Sequence, residues 1–233
     1  MNKGRNLLGD FHNPITKPEI FIFLPGFPGE AVPRKENEVR VVDIVSNIMF
    51  EKNKVLEIVC YPGISDSNDF SFERTQNVSF EVIQKKIIEG FSVIVIGQSW
   101  GGLIALLAFD AFPLQSLILI TPFLLIPDEA DVLKIIKDYS KQFPQIIPGK
   151  KIPELVQQIS HISKKLNGLN FESISEKNIS LLTCSDDEVI PSDLLRKYIK
   201  SLGLKSLMLD EIKSDHNFNN GKQDLYHWLE LHL

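Results

Sequence analysis

Short apolar runs alternate with longer segments of helical spacing along most of the chain. The runs cover residues 19–24, 55–60, 92–96, 116–120, 179–184 and 206–210. Most are continuous apolar blocks, the pattern of strands covered on both faces of a parallel sheet. Between them, 39–51 carries Val41, Val42, Ile44, Val45, Ile48 and Met49 at helical spacing. Segment 72–89 stops at Gly90, a residue suited to a helix C-terminus, and 101–112 is apolar nearly all round, as a buried helix is. Segment 191–202 opens on Pro191 and is followed by Gly203, and 223–232 closes the chain.

Strand alternating with helix predicts right-handed βαβ units and an α/β fold, a doubly wound, mostly parallel sheet with helices on both faces. Residues 122–168 break the alternation. They hold two helical patterns, 128–142 and 152–166, joined by a loop with two prolines and no strand between them. This segment reads as a small helical insertion after the fourth strand. No repeat, low-complexity tract or linker divides the rest, so one domain over 1–233 is expected.

Composition changes little in this picture. Hydrophobic residues at 43% and charged residues at 24% are ordinary for a protein with a packed core. The net charge is −5 and no basic stripe is present, which argues against a nucleic-acid partner. The mildly basic stretch 141–151 reads as a solvated surface. Cys60 and Cys184 both end apolar runs and are expected to be buried, reduced thiols; no pair of them has zinc-site spacing. Residues 1–14 lack the apolar region of a signal peptide, and 116–127 is too short to cross a bilayer. A cytoplasmic protein without a membrane span is expected, and nothing here selects an oligomeric state.

The most informative stretch is Ser92-Val-Ile-Val-Ile-Gly97-Gln98-Ser99-Trp100-Gly101-Gly102: an apolar strand, a Gly-x-Ser-x-Gly turn, then an apolar helix. The sharp turn strains the backbone at Ser99, and Gly97 and Gly101 remove side chains that would collide across it. The hydroxyl is lifted above the sheet edge, and the Trp100 N–H is set at a helix start, where an anion is favoured.

In this setting the sequence resembles the α/β-hydrolase superfamily, from about residue 19 to the C-terminus, with 122–168 standing where such proteins carry a lid. The resemblance makes Ser99 the nucleophile. It places the oxyanion donors in Pro25-Gly26-Phe27-Pro28-Gly29 and after the nucleophile, as the backbone N–H groups of Phe27 and Trp100. Pro25 stands where many members have a loop-bracing His. The base is His216, in Ser214-Asp215-His216-Asn217-Phe218 after the last strand, rather than His12, His161, His227 or His232. The acid comes from Asp186-Asp187-Glu188-Val189-Ile190-Pro191. The register favours Asp187 and leaves Asp186 open, while the Asp215 side chain is expected to point away from the base. The chain order Ser, Asp, His is that of the family.

The resemblance implies a serine hydrolase that acts on a small-molecule acyl substrate, a carboxylic ester or thioester. Alternatives are an amide or C–C bond hydrolase on the same triad and a non-catalytic binding homologue. The Gly-x-Ser-Trp-Gly turn is also similar to that of proline iminopeptidases. Phe123, Leu124, Leu125, Ile126 and Phe143 are candidates either for the lining of the pocket or for the core of the lid. No cofactor and no metal are implied: Gly26-x-x-Gly29 is not GxGxxG, and no Lys-Ser/Thr follows Gly102.

Overall fold

A computed structural model describes residues 17–29, 36, 38–63, 70–124, 128–170, 178–201 and 207–233. The strands are β1 (Glu19–Leu24), β2 (Leu56–Ile58), β3 (Ser92–Gln98), β4 (Ser116–Ile120), β5 (Asn178–Cys184) and β6 (Leu207–Ile212). The helices are α1 (Val41–Glu51), α2 (Phe72–Ile88), α3 (Trp100–Ala111), α4 (Glu129–Gln142), α5 (Ile152–Lys164), α6 (Ser192–Ser201) and α7 (Lys222–His232), with single 3₁₀ turns at Gly149–Lys151 and Lys165–Gly168. The six strands form one sheet in the order β2-β1-β3-β4-β5-β6, every pair parallel.

Alternate residues of each buried strand feed opposite faces, as the two-residue strand period requires. Ile20, Ile22, Val93, Val95, Leu117 and Leu119 pack with α2, α3 and α6. Phe21, Phe23, Ile94, Ile96, Ile118 and Ile120 pack with α1 and α7 on the other side. Both faces are covered, which is why these strands read as unbroken apolar blocks. Helix α3 is buried along most of its length, consistent with its all-round apolar sequence.

The chain leaves β1 toward β2 and then crosses back to place β3 on the other side of β1. Strand order therefore reverses between β1 and β3, and the loops leaving their C-terminal ends diverge. In open α/β sheets this switch point is where ligands bind. The turn at Ser99 and the loop at Gly26 both lie there.

One expectation needs correction. Cys60 is exposed, whereas Cys184 is buried. The run 55–60 forms only the three-residue β2, an edge strand paired on one side, so its last residues leave the sheet. Leu125 and Ile126 lie outside the described residues, as do Ser206 and the first sixteen residues of the chain. No helix among the described residues is long and apolar enough to cross a membrane.

Candidate active site

Ser99 occupies the one-residue corner between β3 and α3, with φ 48° and ψ −115°. A positive φ is uncommon in a residue with a Cβ, and here the surroundings hold it. The Ser99 N–H donates to the Ile120 carbonyl at 3.0 Å, and its own carbonyl accepts the Gly102 and Phe123 N–H groups at 2.9 Å. A Cβ on Gly97 would stand 2.6 Å from the Gly101 carbonyl, and one on Gly101 would stand 2.1 Å from that of Leu24. Both glycines are thus forced by close approach, as read from the sequence. Gly102, not singled out there, is forced too: its Cβ would meet Pro122 at 2.5 Å. Ser99 precedes α3 but makes no capping bond with its side chain, which leaves the hydroxyl to other partners.

That partner is His216. Its Nε2 lies 2.9 Å from Ser99 Oγ and its Nδ1 lies 2.7 Å from Asp187 Oδ2. A carboxylate only accepts, so Nδ1 carries the proton and Nε2 is left to accept the Ser99 O–H. The second oxygen of Asp187 accepts the backbone N–H groups of Val189 and Ile190 at 2.8 and 2.7 Å. Asp187 and His216 are both buried, with side-chain exposures of 1% and 8%, so this relay is largely shielded from water.

The two loops that carry the pair are tied together: the Asp186 N–H donates to the Ser214 carbonyl at 3.1 Å. Asp186 itself is exposed and accepts from the Ser185 hydroxyl, away from the imidazole. Asp215 also turns away from the imidazole. It accepts the backbone and side-chain N–H groups of Asn219 at 2.9 and 2.8 Å, which stiffens the turn that presents His216. Burial raises the Asp215 carboxyl, but these bonds together with the Asn217 N–H and the adjacent His216 hold the group below the usual aspartate range. His161 lies on α5 and His227 and His232 on α7, and none of the three is hydrogen-bonded to Ser99.

The loop after β1 runs against Ser99, since a Cβ on Gly26 would lie 3.2 Å from the Ser99 Cβ. The Gly29 N–H closes the turn on the Gly26 carbonyl at 2.7 Å. Pro25 cannot brace this loop with a side-chain bond. Instead the buried Tyr61 hydroxyl donates to the Pro25 carbonyl at 2.8 Å, a brace that sequence reasoning missed. Among the described residues no acceptor is bonded to the backbone N–H of Phe27 or of Trp100.

A cavity of about 40 Å³ adjoins Ser99. Phe27, Phe72, Trp100 and Phe123 form its body side. Val132, Ile135, Ile136 and Tyr139 of α4 form the opposite wall, with Ile159 of α5 and Val189 completing it. Phe123 thus lines the pocket, whereas Leu124 is core and Phe143 packs on Tyr139. The α4 contribution was also missed, although 132, 135, 136 and 139 follow the helical spacing of one face. The Trp100 ring both lines the cavity and donates its Nε1–H to Thr75 Oγ1 at 2.9 Å. Among the described residues no group of three or more His, Cys, Asp or Glu is placed to hold a metal ion.

No protein-family model matches the chain, and no curated protein sequence matches it. Solved structures do. Est1E from Butyrivibrio proteoclasticus with ferulic acid bound superposes with a TM-score of 0.63 at 15% identity, over 95% of this chain and 90% of that one. Alpha/beta hydrolase domain-containing protein 10 from mouse gives 0.63 at 16%, over 93% and 88%. The chain has the α/β-hydrolase fold. A monoacylglycerol lipase from Paleococcus ferrophilus shares it, with a TM-score of 0.60 at 14% identity over 94% of this chain and 97% of that one. Ser99 stands at the sharp turn between β3 and α3, and the loops after β5 and β6 bring Asp187 and His216 to it.

Proposed function

We propose that this α/β-hydrolase-fold chain is a serine hydrolase of carboxylic esters or thioesters. The observation that carries the reading is the unbroken relay from Asp187 through His216 to the Ser99 hydroxyl, at 2.7 and 2.9 Å. A serine hydroxyl is a poor nucleophile until a base takes its proton. His216 Nε2 is within reach to do so, and Asp187 fixes the tautomer and stabilises the imidazolium that forms.

In this mechanism Ser99 Oγ attacks the carbonyl carbon as its proton passes to His216. The negative charge on the carbonyl oxygen is held by the Phe27 and Trp100 N–H groups, the latter at the positive end of α3. The tetrahedral intermediate collapses, and His216 protonates the departing alcohol or thiol. Water then gives a proton to His216 and attacks the acyl-Ser99 carbonyl, which releases the acid and restores the hydroxyl. No metal or cofactor has a part in this sequence.

An ester or thioester fits the site better than an aminoacyl amide. The described residues around the cavity include no charged side chain that could bind a free amine. The names of the Paleococcus lipase and of Est1E with ferulic acid agree with ester chemistry on this fold. In the same reading residues 122–168 act as a lid, with α4 as the cover of the acyl or alcohol pocket of a single-domain enzyme. The test is labelling by a fluorophosphonate probe together with hydrolysis of 4-nitrophenyl and acyl-CoA esters. Both are expected in the wild type and lost in Ser99→Ala. A wild-type protein that neither labels nor turns over any of them removes the enzyme reading and leaves the non-catalytic one.

A further inference from the structure

The cavity beside Ser99 is apolar with one exception. Its described walls are Phe, Val and Ile side chains apart from Ser99, Trp100 and Tyr139. The Ser99 hydroxyl is engaged by His216 and the Trp100 ring N–H by Thr75. The Tyr139 hydroxyl has no hydrogen-bond partner among the described residues; burial and the more distant Asp187 charge are what raise its pKa. It therefore stays protonated and is a donor at neutral pH. Tyr139 is half-buried, so solvent can serve this hydroxyl until a bound group displaces it.

The ring that carries this hydroxyl is held in place. It packs edge-on against Phe27, with centroids 4.8 Å apart at 85°, and lies nearly parallel to Phe143 at 6.3 Å and 24°. Tyr139 stands one turn along α4 from Ile136 on the same cavity-facing side. Ser99 and Tyr139 line the same cavity, so a group attached to the acyl carbon or to the scissile oxygen at Ser99 comes up against the Tyr139 side chain.

We propose that Tyr139 is a specificity-determining residue: its hydroxyl donates a hydrogen bond to an oxygen of the substrate group that fills the cavity. The site then prefers a compact apolar group carrying one ether, hydroxyl or carbonyl oxygen over a hydrocarbon of the same size. This rests on the reading of Ser99 as nucleophile. A hydrocarbon there would shield the hydroxyl from water and leave its hydrogen bond unmade, and sites built around a polar group discriminate strongly for that reason.

The experiment compares isosteric ester pairs that differ by one oxygen, on wild type and on Tyr139→Phe. One pair places the oxygen in the acyl group, 4-nitrophenyl methoxyacetate against 4-nitrophenyl butyrate. The other places it in the alcohol, 2-methoxyethyl acetate against butyl acetate. Hydroxide-catalysed hydrolysis of the same esters supplies their intrinsic ratio. In wild type, kcat/KM should favour the oxygen-bearing member of one pair by roughly threefold to tenfold beyond that intrinsic ratio. The excess should vanish in Tyr139→Phe and lie mainly in KM. A packing role for the ring would not change a ratio between isosteres. A wild-type ratio equal to the hydroxide ratio in both pairs, or one unchanged in Tyr139→Phe, overturns the inference. Fluorophosphonate labelling of both proteins separates the two levels. Labelled protein without the excess sinks only the role of Tyr139, whereas unlabelled, inactive wild type sinks the hydrolase reading and this inference with it.

Discussion

Gln158 on α5 caps a helix that is not its own. Its Oε1 accepts the backbone N–H of Phe72, the first residue of α2, at 2.8 Å, and the Ser71 hydroxyl at 3.1 Å. Its Nε2 donates to Glu154 at 2.9 Å. The Phe72 N–H is one of those a helix start leaves without an internal partner, and it is buried. The Phe72 ring lines the cavity and packs on Trp100, with centroids 4.6 Å apart. The bond thus joins α5 to the wall of the cavity.

Gln158→Leu keeps the bulk and removes the acceptor. It is expected to cost about 1–3 kcal/mol, the usual penalty for a buried donor left unbonded. Urea unfolding followed by tryptophan fluorescence measures this. An unchanged midpoint would show that the bond contributes nothing to stability.

Two glycines separate the effect of space from that of backbone freedom. A Cβ at Gly101 meets the Leu24 carbonyl at 2.1 Å, whereas one at Gly149 meets nothing within 4 Å. Gly101→Ala must push β1 away from the start of α3, and overpacking of this kind costs about 1–3 kcal/mol or more. It also displaces the Ser99 corner, so fluorophosphonate labelling should slow sharply. Gly149→Ala only restricts the unfolded chain and is expected to be neutral or to stabilise by up to about 1 kcal/mol. The thermal melt should fall for Gly101→Ala and hold or rise for Gly149→Ala, and a common fall would count against the steric account.

How much of this was legible in the sequence depends on how local each signal is. The strands and helices follow from periodicity, and the corner at Ser99 from spaced glycines between an apolar strand and an apolar helix. The choice between Asp186 and Asp187 was less secure. Adjacent carboxylates look alike in sequence, and only the path of the loop after β5 buries one and exposes the other. The Tyr61 brace on Pro25 was invisible, because it joins positions 36 residues apart through a fold that no local pattern encodes. The helix that carries Tyr139 was visible only as the helical pattern over 128–142. A face that lines a cavity and a face that packs on a helix have the same spacing, so the role of Tyr139 was not visible.

The two cysteines should differ in reactivity. Cys60 is exposed just beyond the edge strand β2, whereas Cys184 is buried at the end of β5. Burial and then the nearby Asp187 charge push the Cys184 thiol well above its ordinary range. The thiolate is the reactive form, so Cys184 is doubly protected. Ellman's reagent at pH 8 should therefore titrate one thiol per folded chain and two after denaturation in guanidinium. Cys60→Ser should abolish the fast reaction. Two fast thiols in the native protein would contradict the packing around β5.

The neighbouring carboxylates provide the sharpest test of the relay. In Asp187→Asn the amide can keep one oxygen on the Val189 and Ile190 N–H groups, which leaves its NH₂ facing His216 Nδ1. Two donors cannot face each other, so the imidazole must take the tautomer with its proton on Nε2. It then offers Ser99 a donor where a base is needed. Turnover is expected to fall on the order of ten-thousand-fold, the scale of losing the correct tautomer in such a triad, while the fold survives because the substitution is isosteric. Asp186→Asn changes an exposed side chain bonded only to Ser185 and should leave kcat within about twofold, the range of a surface change worth ±0.5 kcal/mol. Rates on 4-nitrophenyl butyrate with circular dichroism of each variant decide the matter. Equal losses in the two variants, or none in Asp187→Asn, would mean that the carboxylate bonded to His216 in this fold does not act through it.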